Sequence, residues 1–481
     1  MRGKTHLAAF LFSLAATSQA KAETSSLKLP QTETAQGISV IQNPAEDSFK
    51  PAQVYGQVRL ESMQYMTPLP DSPGLTYSQL LSARLSILKE TPWLDFAADT
   101  SAGTFFSKNQ SHLMVHEAYM STRGEHFTAS LGRKKKEWSE IDHRWNLGLW
   151  QPEYALDALR PEEEGLTGLF LDYNTRGWEV LVFGTTVNIP NMGPDIREDN
   201  GGLAADSRWY RPPSRNYDFN NNINTISYKL DIPDQMDLVK NGGGAMMGRL
   251  GNKEKGPWVV LSGGYLPVNE LILKRAAFKS VSSDKVDVTV TPEVTYHAIG
   301  SVDVGYSFGD FRTSLSYLQD DPKELRPEQD LSIQKLKPIQ AYSAAIDFAL
   351  ADILARPITV QVGYLKVVDG GIQDITSDGK ADSFTMFDSR LKFTNAVQVK
   401  LEGQVAAFFH RPFVTRFKYL YDYDQRGSLL NTEFLYYPSP KWALLAGADV
   451  LGVEDENYDK SGFLNEFRAN DRVYGGLTYV F

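Results

Sequence analysis

The densest chemistry in this chain lies between Leu131 and Leu171. The stretch opens Leu131-Gly132-Arg133-Lys134-Lys135-Lys136 and passes through Trp138, Asp142, Arg144, Trp145 and Trp150. It closes on Asp157, Leu159-Arg160-Pro161 and Glu162-Glu163-Glu164. Residues 134–165 make a 32-residue segment richer in Trp, Arg and carboxylate than an exposed loop, where small polar residues dominate. Folded inward, the basic run at 133–136 and the Glu run at 162–164 would face each other across a constriction. Opposed rings of charge set selectivity in a pore. Trp138 and Trp145 would offer ring faces for stacking on sugars. The alternative is a loop pinned to an inner wall by ion pairs, binding no solute.

The other reactive residues do not assemble into a catalytic or metal centre. His112 and His116 stand four apart on a predicted strand, about 13 Å at ~3.3 Å per residue, too far to share a metal. Asp320 and Asp321 are neighbours on a strand end and so point to opposite faces. His143 follows Asp142 with no evident Ser partner, and no Gly-x-Ser-x-Gly occurs. The expectation is a protein with no catalytic residue, no metal and no cofactor.

What must position the loop is a long series of strands. Val302, Val304, Tyr306 and Phe308 alternate with Ser301, Asp303, Gly305 and Ser307. Val54, Gly56, Val58 and Leu60 alternate with Tyr55, Gln57, Arg59 and Glu61, and Leu81 to Ile87 repeats the pattern around Arg84. A sustained period of two marks strands with one apolar face. Eighteen such strands fall near 53–64, 79–89, 93–104, 112–122, 127–133, 166–173, 178–187, 222–231, 257–267, 294–308, 311–320, 338–350, 357–367, 392–409, 413–423, 428–437, 441–451 and 472–481. Region 268–293 leaves room for one more hairpin, so the expected count carries a margin of two, with 16–18 strands the working range.

Connections alternate in length. Short turns at 89–92, 123–126, 174–177, 309–310, 411–412 and 438–440 are separated by long polar loops near 65–78, 134–165, 188–221, 321–337, 368–381 and 452–471. Short periplasmic turns facing long extracellular loops are the asymmetry of transmembrane barrels. Residues 232–256, with Asn241-Gly242-Gly243-Gly244-Ala245-Met246-Met247-Gly248, break the rule by being long on the short-turn side.

The final residues, Asp471 to Phe481, place Val473, Gly475, Leu477, Tyr479 and Phe481 on one face and stop on an aromatic carboxyl terminus. This resembles the closing strand of bacterial outer-membrane β-barrels. The resemblance implies that barrel-assembly machinery recognises the strand ending at Phe481. The pattern Gly132-Arg133, then Trp, then Asp157-x-Leu159-Arg160 is similar to elements of alginate-export and related sugar porins over some thirty residues. It departs from them where a Lys stands in place of their Gln.

Composition agrees with export. Arg2 and Lys4, the apolar run Leu7 to Ala16, and Ala20-Lys21-Ala22 read as a signal peptide over 1–22. Residues 23–52 read as a periplasmic lead-in, and 53–481 as the barrel. There is no Cys, which excludes a disulfide framework or a lipoprotein anchor. Mean hydropathy is −0.33 and no long apolar run follows residue 22, so helical spans are excluded. Strands that alternate lipid-facing and lumen-facing residues escape that test. Without Arg2, Lys4 and Lys21, 46 basic residues face 59 acidic ones, a net charge of −13 that argues against a nucleic-acid partner.

These observations predict an all-β, antiparallel up-and-down transmembrane barrel of about eighteen strands in the bacterial outer membrane, surrounded by lipid. A barrel of this size leaves an aqueous lumen. Alternation assigns Arg59, Arg84, Lys229, Arg312, Lys392, Lys400, Arg416, Lys418 and Arg472 to that lumen. Glu61, Asp95, Asp99, Asp172, Glu179, Asp303, Asp347, Glu402, Glu433 and Asp449 share it, a wall of mixed sign. The favoured function is a porin passing small hydrophilic solutes, sugars or acidic oligosaccharides among them. A structural or adhesive surface barrel with a plugged lumen is the alternative.

Overall fold

The structure, a computed structural model, describes residues 52–69, 75–106, 110–219, 222–279, 285–326, 331–350, 358–377, 379–381, 390–408, 411–459 and 461–481. The signal peptide at 1–22 and all of the lead-in except Ala52 lie outside them. Eighteen strands form one closed antiparallel sheet. They are β1 (Gln53–Tyr65), β2 (Tyr77–Glu90), β3 (Leu94–Phe105), β4 (Gln110–Thr122), β5 (Phe127–Lys134), β6 (Leu166–Asn174), β7 (Trp178–Thr185), β8 (Gly243–Asn252) and β9 (Lys255–Pro267). The second half is β10 (Tyr296–Phe308), β11 (Phe311–Pro322), β12 (Ile339–Leu350), β13 (Ile358–Asp369), β14 (Asn395–Phe408), β15 (Arg411–Asp422), β16 (Gly427–Ser439), β17 (Trp442–Val453) and β18 (Arg472–Val480). Each pairs with its neighbour in sequence, and β18 closes on β1 with Leu477 opposite Leu60. Beyond the last strand, Phe481 exchanges backbone hydrogen bonds with Gly56 at 2.9 and 3.1 Å.

The alternation sorts the wall into two faces. Val302, Val304 and Tyr306 are exposed on the outside, whereas Asp303 is fully buried inside. Leu60, Val182, Leu261, Leu315 and Val362 continue the outer aliphatic band. Aromatic residues flank it at both rims. Trp93, Trp178, Phe308 and Trp442 lie by the short turns, and Tyr265, Tyr342 and Tyr364 lie toward the long loops. An apolar belt between two aromatic girdles is what a bilayer selects on a barrel exterior.

Two strand assignments need correction. Residues 222–231 are not wall. Asn222–Leu230 pairs in parallel with Lys285–Glu293 in a separate six-stranded sheet built from the long loops. The hairpin suspected within 268–293 belongs to that same sheet, as Ile272–Lys279 paired with Lys285–Glu293. The eighth wall strand is instead β8, inside the segment taken as an oversized turn, and the true turn is Lys253-Glu254. Lys229 therefore leaves the lumen set, and Arg249 enters it, paired to Glu179 on β7 at 2.9 Å. With this exchange no described connection on the short-turn side is long, while the long-loop side carries one tight turn, residues 423–426 between β15 and β16.

Candidate functional site

The connection between β5 and β6 folds into the barrel. Gly132, near the end of β5, has φ 131°, a conformation that favours glycine, and a Cβ there would come within 2.7 Å of the Tyr119 Cα. Beyond it the chain forms a short helix, Glu140–Trp145, and reverses at Asn146 with φ 49°. The Asp142 carboxylate holds this reversal by accepting the backbone N–H groups of Leu149 and Trp150, both at 3.0 Å. Burial outweighs those bonds and pushes Asp142 up to about 7.

Packing fixes the loop inside the lumen. Trp138 stacks on Trp150 at 5.3 Å between centroids and 9° between planes, and both rings are buried. The Trp145 Nε1 donates to Ser343 Oγ on β12 at 3.0 Å. Around them Ile141, Leu149, Phe170, Phe183, Trp258, Leu318 and Ile339 form one apolar core inside the barrel. Trp138 and Trp145 thus present no free ring face to a sugar, which corrects the stacking role expected of them. Their areas are used against protein, where large aromatic rings contribute most.

Ion pairs then tie the loop to strands around the wall. Lys136 pairs with Glu179, and its Nζ lies 3.4 Å from Asp172. Glu140 meets Arg312 at 2.5 Å and Lys253 at 3.3 Å. Arg144 forks onto Asp347 with two contacts of 2.7 Å and reaches Glu140 at 2.9 Å. Asp157 meets Arg472 on β18 at 2.6 Å, and Arg472 also donates to Asp449 on β17 at 2.6 Å. Arg160 reaches Glu61 on β1 at 2.8 Å and lies over the Tyr474 ring at 4.1 Å. Asp157, half-buried, is held below the usual carboxylate range because Arg472 and Arg160 outweigh its desolvation.

The basic and acidic runs do not oppose each other as two blocks. Arg133 pairs directly with Glu164 at 3.0 Å, and Lys134 donates to Ser130 at 3.1 Å. The Lys135 backbone N–H donates to Glu117 at 2.8 Å. Glu163 takes His143 at 3.2 Å, and that contact raises His143 to about 9. Glu162 faces His116 at 3.2 Å and Arg84 at 3.9 Å.

His116 is the residue whose role sequence reasoning missed. A β-bulge opposite Asp99–Thr100 leaves His116 without a ladder partner and turns it inward. Its Nδ1 lies 2.7 Å from Glu164, and its Nε2 lies 2.7 Å from Ser101 Oγ. Those distances match a nucleophile–base–orienter relay. However, Nε2 also faces the Glu162 carboxylate, so the imidazole sits between two loop carboxylates and clamps the loop to β4. No periodic signal in the sequence announces a bulge.

The lumen candidates divide by partner. Arg59 pairs with Glu61 along β1, and Arg84 forks onto Asp99 at 2.9 and 2.5 Å. Arg312 is taken by Glu140. Arg416 bridges Glu402 at 2.9 Å and Glu433 at 2.8 Å. Lys418 has no hydrogen-bond or ion-pair partner among the described residues.

No protein-family model and no curated protein matches the chain. Among solved structures it is similar to OccAB4 of Acinetobacter baumannii at 10% identity, over 91% of this chain and 100% of that one, with a TM-score of 0.46. It is similar to OpdQ of Pseudomonas aeruginosa at 10% identity, over 90% and 98%, with a TM-score of 0.45. A third similarity is to OmpT, an outer membrane protein of Vibrio cholerae, at 11% identity over 89% and 97% with a TM-score of 0.38. The closed strand order, the girdled apolar exterior and the charged interior are what make this chain a transmembrane β-barrel.

Proposed function

We propose that the chain is an outer-membrane channel for passive diffusion of small hydrophilic solutes, sugars and acidic oligosaccharides among them. The carrying observation is that the loop fills part of the lumen and leaves other charges of the wall wet. In the filled part Asp303, Trp258 and Ile339 are 0%, 1% and 0% exposed. Elsewhere, Arg59 and Arg84 keep 29% and 30% of their side-chain surface, Glu162 46%, Arg416 39% and Glu402 44%. Charges that remain solvated beside a dry plug favour a narrowed water path over a sealed barrel. The loop acts as constriction, with Arg84, Arg160 and Glu162 at its open edge.

Planar-bilayer conductance tests the reading. The folded wild-type barrel is expected to conduct, and deletion of residues 138–157 to raise unitary conductance. A wild type that does not conduct refutes the channel. A surface barrel binding partners through its loops is the second reading, favoured by the six-stranded sheet those loops build, and a silent bilayer would select it.

A further inference from the structure

One row of wall residues is not neutralised from within. Cross-strand register places Arg312 opposite Asp347, Asp347 opposite Gln361, and Gln361 opposite Lys400. The row continues with Lys400 opposite Lys418, Lys418 opposite Asn431, Asn431 opposite Asp449, and Asp449 opposite Arg472. Directly paired residues face the same side of a sheet, so all eight point into the lumen. At both ends of the row each charge meets its opposite. Arg312 is met by Glu140, Asp347 by Arg144, and Arg472 by Asp449 and Asp157. Two residues along the same strands, the next row reads Glu402, Arg416, Glu433 with both contacts made.

Only the centre departs from this alternation. Like charges directly opposite each other on neighbouring strands are destabilising, and Lys400–Lys418 is such a pair. The Lys400 Nζ has a single contact, 3.4 Å from the Arg144 carbonyl oxygen, and Lys418 has none among the described residues. Both are partly exposed to the lumen. Carboxamides flank the pair. Asn431 Nδ2 donates to Asp449 at 2.9 Å, which leaves its carbonyl oxygen as an acceptor beside Lys418. Two adjacent ammonium groups between amide side chains suit an anion that also carries hydroxyls.

We propose that Lys400 and Lys418, with Gln361 and Asn431 beside them, form a binding subsite for a hydroxylated carboxylate, seated on the wall of the water path. This rests on the channel reading above and specifies what that channel retains. The carboxylate would take charge-assisted hydrogen bonds from both lysines, relieving their repulsion, while the amides engage hydroxyls.

The test uses the folded, full barrel with gluconate and its uncharged counterpart sorbitol. In bilayers, gluconate is expected to block the wild-type current in a concentration-dependent way, and sorbitol is not. Lys400→Gln and Lys418→Gln should each weaken the block about tenfold, the loss of one charge-assisted contact. A thermal arm needs no conductance. Gluconate should raise the wild-type Tm and raise that of Lys418→Gln less at the same concentration, and the variant alone should melt above the ligand-free wild type. Equal gluconate block in wild type and both variants would overturn the subsite, as would a conducting wild type indifferent to gluconate. Should the wild type not conduct, the channel reading fails, and the thermal arm decides the subsite alone: a Tm shift reduced in Lys418→Gln supports it, and no shift or an equal shift in both overturns it.

Discussion

Arg144→Met asks whether charge or packing holds the inward loop. The Arg144 side chain is 7% exposed, and its guanidinium makes two 2.7 Å contacts to Asp347 and one of 2.9 Å to Glu140. Methionine keeps an unbranched apolar stem but removes every one of these bonds. Breaking a buried pair from one side costs about 3–5 kcal/mol, because the abandoned partner stays desolvated. Two compensations pull toward the lower figure. Glu140 retains Arg312 and Lys253, and Lys400 lies within electrostatic reach of Asp347. A loss of about 3 kcal/mol shifts the docked-to-undocked ratio of the helical segment about 150-fold. The expected outcome is a noisier open channel with higher mean conductance, together with a red-shifted tryptophan emission as the ring around Trp145 is wetted. Current noise, mean conductance and emission all superimposable on wild type, at equal folded yield, would show that the apolar core alone seats the loop.

Three further outcomes follow from other parts of the molecule. Glu163 raises His143 to about 9 from an ordinary 6.5, so the pair's contribution to loop docking is complete below about pH 6.5 and lost as pH climbs through 9; channel noise should rise over that window, and His143→Gln should abolish the step. Val304→Arg, on the outer face in mid-strand, should destabilise the inserted barrel by about 2–4 kcal/mol, whereas Leu444→Arg, near the short-turn rim, should cost about 0–1 kcal/mol, both read by urea unfolding in bilayers. A reversed order would place the bilayer elsewhere on the wall. Removing Phe481 deletes both backbone bonds to Gly56, and it should leave export intact while reducing the heat-modifiable folded band in outer-membrane fractions; a normal band would exclude a closing role.

The wall was legible because a bilayer outside and water inside impose a strict two-residue period. The same rule misled at Asn222–Leu230, which alternates well because one face packs on Leu203, Val288 and Val290 in a sheet outside the barrel. Alternation reports one dry face and says nothing about whether lipid or protein keeps it dry. β8 was overlooked for the converse reason. Gly243, Gly244 and Gly248 blur its period, although Ala245 and Met247 are buried inward and Met246 and Leu250 lie exposed outward. The loop's inward fold was suggested by its charges and Trp residues. Their partners were not legible, since Arg144 with Asp347 and Asp157 with Arg472 join positions hundreds of residues apart that only closure brings together.

Arg472 carries a consequence for how the barrel comes to be closed correctly. Its guanidinium is satisfied by Asp449 on the preceding strand and by Asp157 on the loop, while Arg160 of the same loop grips Glu61 on the first strand. A slip of one residue between β17 and β18 would turn Arg472 toward lipid. A slip of two would return it to the lumen but move it by about 7 Å, away from both carboxylates. The loop therefore works as an internal gauge of register. It is made before the final strand, waits with a charge pattern that matches one alignment, and penalises the others. Backbone pairing alone cannot make that distinction, because the ladder hydrogen bonds of a strand shifted by two are as good as the originals.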